Sequence, residues 1–104
     1  PKLGPAFNLR GLIYATMGEL QLAEDSFQRA LQLNTRDGDS MHNYGWFLCQ
    51  QGRYADAHKQ FDAAMAMTTY RDVPRTLLAQ GVCFGREKRW ALGWRLWGEA
   101  ICRW

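Results

Sequence analysis

Residues 45–64 read GWFLCQQGRYADAHKQFDAA, and residues 11–30, which read GLIYATMGELQLAEDSFQRA, carry the same pattern of small and aromatic residues. The two stretches lie 34 residues apart. Gly11, Gly18, Ala23, Phe27 and Ala30 recur as Gly45, Gly52, Ala57, Phe61 and Ala64. A period of this length indicates a repeat protein in which each unit is one pair of helices.

A third and weaker copy follows 36 residues after the second. It comprises Gly81, Gly93, Trp97 and Ala100, and the two additional residues fall in the linker at residues 68–74. A period of 34 residues with small, aromatic and small residues at these offsets resembles the tetratricopeptide repeat. The resemblance covers almost the whole chain and implies an all-α solenoid of three helix-turn-helix repeats.

Glycine and polar linkers predict where the helices end. Gly18 and Gly52 close the first helices of repeats 1 and 2, and polar linkers at 34–38 and 68–72 separate the repeats. Because each repeat buries its apolar face against its neighbours, all three are expected to form one domain. The expected helices are 5–17, 20–33, 38–51, 54–67, 73–86 and 90–103, and the expected repeats are 4–37, 38–73 and an atypical third repeat at 74–104.

One glycine recurs inside the first helix of every repeat, at Gly11, Gly45 and Gly81. Glycine inside a helix costs about 1 kcal/mol relative to alanine. Its recurrence therefore predicts a packing role, in which the glycine lets a ring such as Phe27 or Phe61 approach from the second helix.

The first helices are expected to line a concave groove, the partner site of this architecture. Leu12, Trp46 and Val82 stand where tetratricopeptide modules that grip acidic chaperone tails carry Lys and Asn, so an apolar or amphipathic segment is the predicted occupant. Trp46 is either the anchor of that contact or a residue packed between repeats. The predicted groove residues are Asn8, Leu12, Thr16, His42, Trp46, Gln50, Leu78, Val82 and Arg86.

The composition argues against catalysis and nucleic-acid binding. The net charge of +3 is small and dispersed, and the sequence has no phosphate-binding glycine loop, no paired metal ligands and no nucleophile motif. We expect no enzyme activity and no cofactor, with a nucleic-acid or regulatory enzyme subunit as a distant third interpretation. The chain does not begin with Met, which predicts a fragment whose missing N terminus carries any targeting segment.

The last predicted helix carries an apolar stripe of Trp90, Trp94, Trp97, Ile101 and Trp104. Trp90 and Trp97 are expected to pack within their own repeat. Trp94, Ile101 and Trp104 form a predicted second interface, since a following helix normally covers such positions. Either the natural chain continues, or the chain self-associates through this stripe.

A more specific resemblance comes from residues 43–49 (NYGWFLC) and 81–83 (GVC), with 11–14 (GLIY) and 23–31 (AEDSFQRAL) before them. These segments resemble the type IV pilus biogenesis and stability proteins, the pilotin lipoproteins of Gram-negative bacteria. The resemblance implies a periplasmic scaffold, tethered to the outer membrane by an N-terminal lipid, that helps the secretin localise and assemble. Its partner would be a secretin subunit or another pilus assembly component. A generic tetratricopeptide adaptor in another bacterial complex is the alternative.

The cysteines take on meaning within that resemblance. Cys49 and Cys83 lie on the first helices of neighbouring repeats, which pack side by side. In an oxidising periplasm a disulfide between them would close a loop of about 35 residues. Two buried reduced thiols are the alternative, and Cys102 would remain unpaired.

Overall fold

The computed structural model describes residues 3–87 and 97–100, and all regular structure within these residues is helical. The ends of the first five predicted helices are confirmed to within two residues. The sixth predicted helix, 90–103, falls mostly outside the described residues, although 97–100 are helical. The five helices are α1 (Leu3–Thr16), α2 (Leu20–Leu33), α3 (Gly38–Gln50), α4 (Tyr54–Ala66) and α5 (Val73–Arg86).

The turns inside repeats 1 and 2 have the same geometry. Gly18 and Gly52 both have φ +79°, a left-handed conformation that glycine adopts without strain. The amide two residues after the helix end then bonds back to a carbonyl five residues earlier: Glu19 to Tyr14 at 2.9 Å, and Arg53 to Leu48 at 3.0 Å. Each hairpin is thus closed by its glycine.

The predicted glycine-to-ring contacts are confirmed in both hairpins. A methyl group added to Gly11 would lie 2.7 Å from the Phe27 ring, and one added to Gly45 would lie 2.9 Å from the Phe61 ring. Both rings are completely buried. The small residues therefore set the close approach of α1 to α2 and of α3 to α4.

The hairpins stack so that α1, α3 and α5 form one layer. In the part of the chain that the structure describes, α3 contacts both α1 and α5, whereas α2 and α4 do not reach each other. The layer of first helices is consequently the inner, concave one. This arrangement confirms the tetratricopeptide solenoid expected from the repeat period. No helix in the described part is both long and apolar enough to cross a membrane.

Aromatic rings join repeat 1 to repeat 2. The Phe27 ring of α2 lies 5.8 Å from the ring of Tyr44 and 5.6 Å from that of Phe47, both on α3. The Tyr44 hydroxyl donates a 2.7 Å hydrogen bond to Glu24, which also pairs with Arg53 at 2.7 Å. Burial, together with the Glu24 bond, raises the pKa of the Tyr44 phenol. The joint therefore has an apolar centre and a hydrogen-bonded edge.

A polar cluster joins α4 to α5. The His58 ring stacks on Phe84 with centroids 3.9 Å apart, and its Nε2 lies 2.5 Å from the Glu87 carboxylate. Gln80 donates from its amide nitrogen to His58 Nδ1 at 3.2 Å and to Asp62 at 3.1 Å. These bonds fix the position of α5, and hence the third wall of the inner face.

Candidate protein-binding groove

The predicted groove residues all lie on the three inner helices, with different degrees of exposure. His42 is buried, whereas Asn8, Trp46 and Leu78 are half-buried. The apolar residues across the middle remain open to solvent, since Leu12 is 38% and Val82 48% exposed. The remaining predicted residues, Thr16, Gln50 and Arg86, are exposed.

Four of these residues surround one pocket between α3 and α5. The pocket has a volume of about 250 Å³. Its floor is apolar, and its rim carries polar groups at the N-terminal ends of the two helices. It is lined by His42, Asn43 and Trp46 from α3 and by Arg75, Leu78, Ala79 and Val82 from α5.

Three lining residues were missed by the sequence analysis, because it followed only positions at fixed distances from the recurring glycine. Asn43 is adjacent to the predicted His42. Arg75 and Ala79 precede Val82 by seven and three residues, a spacing that places all three on one side of α5. A helical-wheel search outward from Val82 would have found two of the three.

His42 is held in the wall between α3 and α5. Its Nδ1 lies 2.8 Å from Thr76 Oγ1, and the Tyr70 hydroxyl lies 2.7 Å from the same oxygen. Burial lowers the pKa of His42 to about 4, and Arg75 acts in the same direction while Asp72 opposes it. The imidazole is therefore neutral at pH 7 and serves as a hydrogen-bonding wall residue.

We expect the stability of the domain to fall as the pH falls from 6.5 towards 4. The pKa of His42 is lower in the folded chain than its ordinary value of 6.5, so the unfolded chain binds more protons throughout this interval. The free energy of unfolding, measured by urea denaturation at several pH values, should decrease across the interval. The His42→Gln variant should lose part of this slope, and an unchanged slope would show that His42 is not its source.

The guanidinium of Arg75 on the pocket rim is neutralised by the protein itself. Its Nε lies 3.0 Å from Asp72, and one terminal nitrogen lies 4.0 Å from Asp39. A ligand carboxylate would have to compete with the Asp72 carboxylate for this cation. The rim therefore offers little free charge.

An amide pair completes the rim on the α1 side. Asn43 Nδ2 donates a 3.1 Å hydrogen bond to Asn8 Oδ1, which connects α3 to α1. Within the described residues neither amide has a further hydrogen-bond partner. The pair therefore has unused donors and an unused acceptor beside the pocket.

A larger hollow of about 350 Å³ lies between the two inter-repeat linkers, but its lining is polar. Its carboxylates already have partners: Asp37 accepts two bonds from Ser40 at the start of α3, and Asp72 pairs with Arg75. In the residues that the structure describes, no three potential metal ligands come together. The apolar pocket between α3 and α5 is therefore the better candidate site.

The structure pairs Cys49 of α3 with Cys83 of α5 as a disulfide. The Cα atoms are 5.9 Å apart, within the usual range, and both side chains are fully buried. Since Cys83 directly follows Val82, the pairing would fasten both helical walls of the pocket together.

The predicted second interface, formed by Trp94, Ile101 and Trp104, lies outside the described residues. Trp97, which precedes it in the same stripe, is described and is 46% exposed. Self-association through the stripe stays a prediction.

Residues 3–69 match the tetratricopeptide repeat family, and the chain belongs to that family. The match covers well over half of the 104 residues. It agrees with the observed stack of helical hairpins. Domains of this kind mediate protein–protein interaction.

The structure is similar to the crystal structure of PilW, a widely conserved type IV pilus biogenesis factor, with a TM-score of 0.91. The sequences are 28% identical, and the similarity covers 99% of this chain and 47% of PilW. The type IV pilus assembly protein PilF of Pseudomonas aeruginosa is 29% identical over 75 residues, which cover 72% of this chain and 30% of PilF.

A shorter and more identical match joins the chain to a different kind of protein. Cellulose synthase operon protein C of Komagataeibacter sucrofermentans is 49% identical over 49 residues. These residues cover 47% of this chain and 4% of that protein. The chain thus spans only part of each relative, and it is related to type IV pilus biogenesis factors through the tetratricopeptide fold.

Proposed function

We propose that the chain is a non-enzymatic scaffold of type IV pilus biogenesis, which binds the outer-membrane secretin and assists its localisation and assembly. The observation that carries the proposal is the similarity to PilW over 99% of the chain. Similarity over three consecutive hairpins includes the whole inner face, so the proposal concerns this surface and not an isolated motif.

The groove supports the proposal physically. A pocket of about 250 Å³ with an apolar floor stays open on the inner face, and burying its apolar surface would stabilise a complex. Trp46 stands at its centre and is half-buried in the free chain. Tryptophan at the centre of an interface is frequently the residue that contributes most to binding.

The proposed location is the periplasmic side of the outer membrane, with the chain tethered by an N-terminal lipid anchor in the natural protein. The Cys49–Cys83 pairing supports this location, since disulfides persist in oxidising compartments such as the periplasm.

A second candidate function is a tetratricopeptide adaptor in another bacterial complex. The 49% identity to cellulose synthase operon protein C favours this candidate. It rests on less than half of the chain, whereas the similarity to PilW extends over nearly all of it. We therefore place it second.

Site-specific photocrosslinking tests the pilus proposal. A photoreactive phenylalanine analogue is placed at Val82 in the groove, or at Leu22 on α2 as a control of nearly equal exposure (48% and 45%). Each protein is illuminated with the purified type IV pilus secretin of the same organism. We expect a secretin adduct from position 82 and none from position 22, because the secretin contacts only the inner face.

Adducts from both positions in equal yield would contradict a groove-specific contact. Absence of any secretin adduct would count against the pilus function and leave the adaptor candidate in first place.

A further inference from the structure

The rim of the α3–α5 pocket restricts what can occupy it. Arg75 is already balanced by Asp72 and Asp39, and His42 is bonded to Thr76. A charged side chain would gain no free counter-charge there and would lose hydration against the apolar floor. An uncharged apolar side chain suits the pocket best.

The amide pair of Asn8 and Asn43 adds a second restriction. Their mutual bond uses one hydrogen of Asn43 and one lone pair of Asn8, which leaves the Asn43 carbonyl oxygen and the Asn8 amino group available. One acceptor beside one donor is the complement of a peptide group, which presents one N–H and one C=O.

This complementarity distinguishes between bound conformations. In a helix the peptide N–H and C=O groups are bonded within the helix itself. In an extended segment they remain free to bond with the receptor. A helical ligand would thus leave the amide pair unused, and an extended ligand would satisfy it.

We propose that the pocket binds an extended, uncharged segment of the partner protein, with one large apolar side chain against Trp46 and Val82 and its main chain hydrogen-bonded to the Asn8–Asn43 amide pair. The inference rests on the proposed function, because it specifies how the partner segment lies in that groove. It adds the conformation, the charge and the main-chain contact of the segment.

A peptide titration tests the inference with the full chain. The probe is acetyl-Thr-Thr-Leu-Thr-Thr-amide, which is uncharged and rich in residues that favour extended backbone. Binding is followed by nuclear magnetic resonance through the Trp46 indole and Val82 amide signals. We expect millimolar affinity, weakened about tenfold or more when leucine is replaced by alanine.

The main-chain contact is measured with a peptide N-methylated at leucine and at the following residue. Losing a neutral hydrogen bond should weaken binding to the natural chain about fivefold. The Asn43→Ala protein should bind the plain and the methylated peptide equally well, and Asn8→Ala should do the same. Gln32→Ala, which removes an exposed amide from α2, should keep the fivefold difference.

Equal binding of the two peptides by the natural chain would overturn the inference, and so would a fivefold difference that survives in both asparagine variants. Absence of groove signals with the plain peptide would also overturn it. If secretin adducts from position 82 still form in that case, the groove binds another conformation, and only the inference fails.

Discussion

Reduction of the Cys49–Cys83 disulfide is expected to lower the free energy of unfolding by about 4 kcal/mol, the chain-entropy value for a loop of this length. The two cysteines are 34 residues apart and connect α3 to α5. Cross-linking restricts the unfolded chain, so its loss favours unfolding. The α3–α5 joint would then depend on the weaker His42–Thr76 hydrogen bond and on apolar packing.

Guanidinium denaturation with and without reductant measures this effect. The Cys49→Ala/Cys83→Ala double variant should denature at the same midpoint in both conditions, and Cys102→Ser should retain the full response. The unreduced, denatured natural chain should expose one free thiol of its three cysteines. Three free thiols, or equal midpoints for the natural chain in both conditions, would refute the disulfide.

The fold could be predicted from the sequence because its determinants are local and occur more than once. Gly18 and Gly52 require a left-handed turn, and Gly11 and Gly45 admit the rings of the opposite helix. Each of these positions has an equivalent 34 residues away, so two observations support every assignment. Helix ends shifted by one or two residues, because pattern alone does not fix the last hydrogen bond.

The site was less accessible to sequence reasoning. The offset rule correctly placed Trp46 and Val82 on the inner face, but it gave no indication that Arg75 would be neutralised by Asp72, which precedes it by three residues. The bond between Asn8 and Asn43 joins two different helices, and no spacing along one helix indicates it.

The linker between repeats 2 and 3 shows the same limit. Its two additional residues were evident from the 36-residue spacing of the third copy. Their consequence was not, because it depends on contacts across the chain. The Tyr70 ring lies where a side chain on Gly38 would be, only 2.6 Å from the position of an added methyl group, and its hydroxyl reaches the Thr76 that holds His42.

Replacing Trp46 by alanine is expected to weaken binding of the purified secretin about 30-fold, the effect of losing a central tryptophan worth about 2 kcal/mol. The indole lines the apolar pocket and contacts the buried core from its inner side. Circular dichroism should show unchanged helicity, since the ring is only half-buried. Leu22→Ala on α2 is the matched control and should bind as the natural chain does.

The most direct test of the inner face as the binding surface is calorimetry with the secretin and the Val82→Glu variant. Val82 is 48% exposed, so this change leaves the core intact and places a charge in the apolar pocket. We expect secretin binding to be lost, as it is weakened by Trp46→Ala. Binding of Val82→Glu with the affinity of the natural chain would contradict the assignment of the groove.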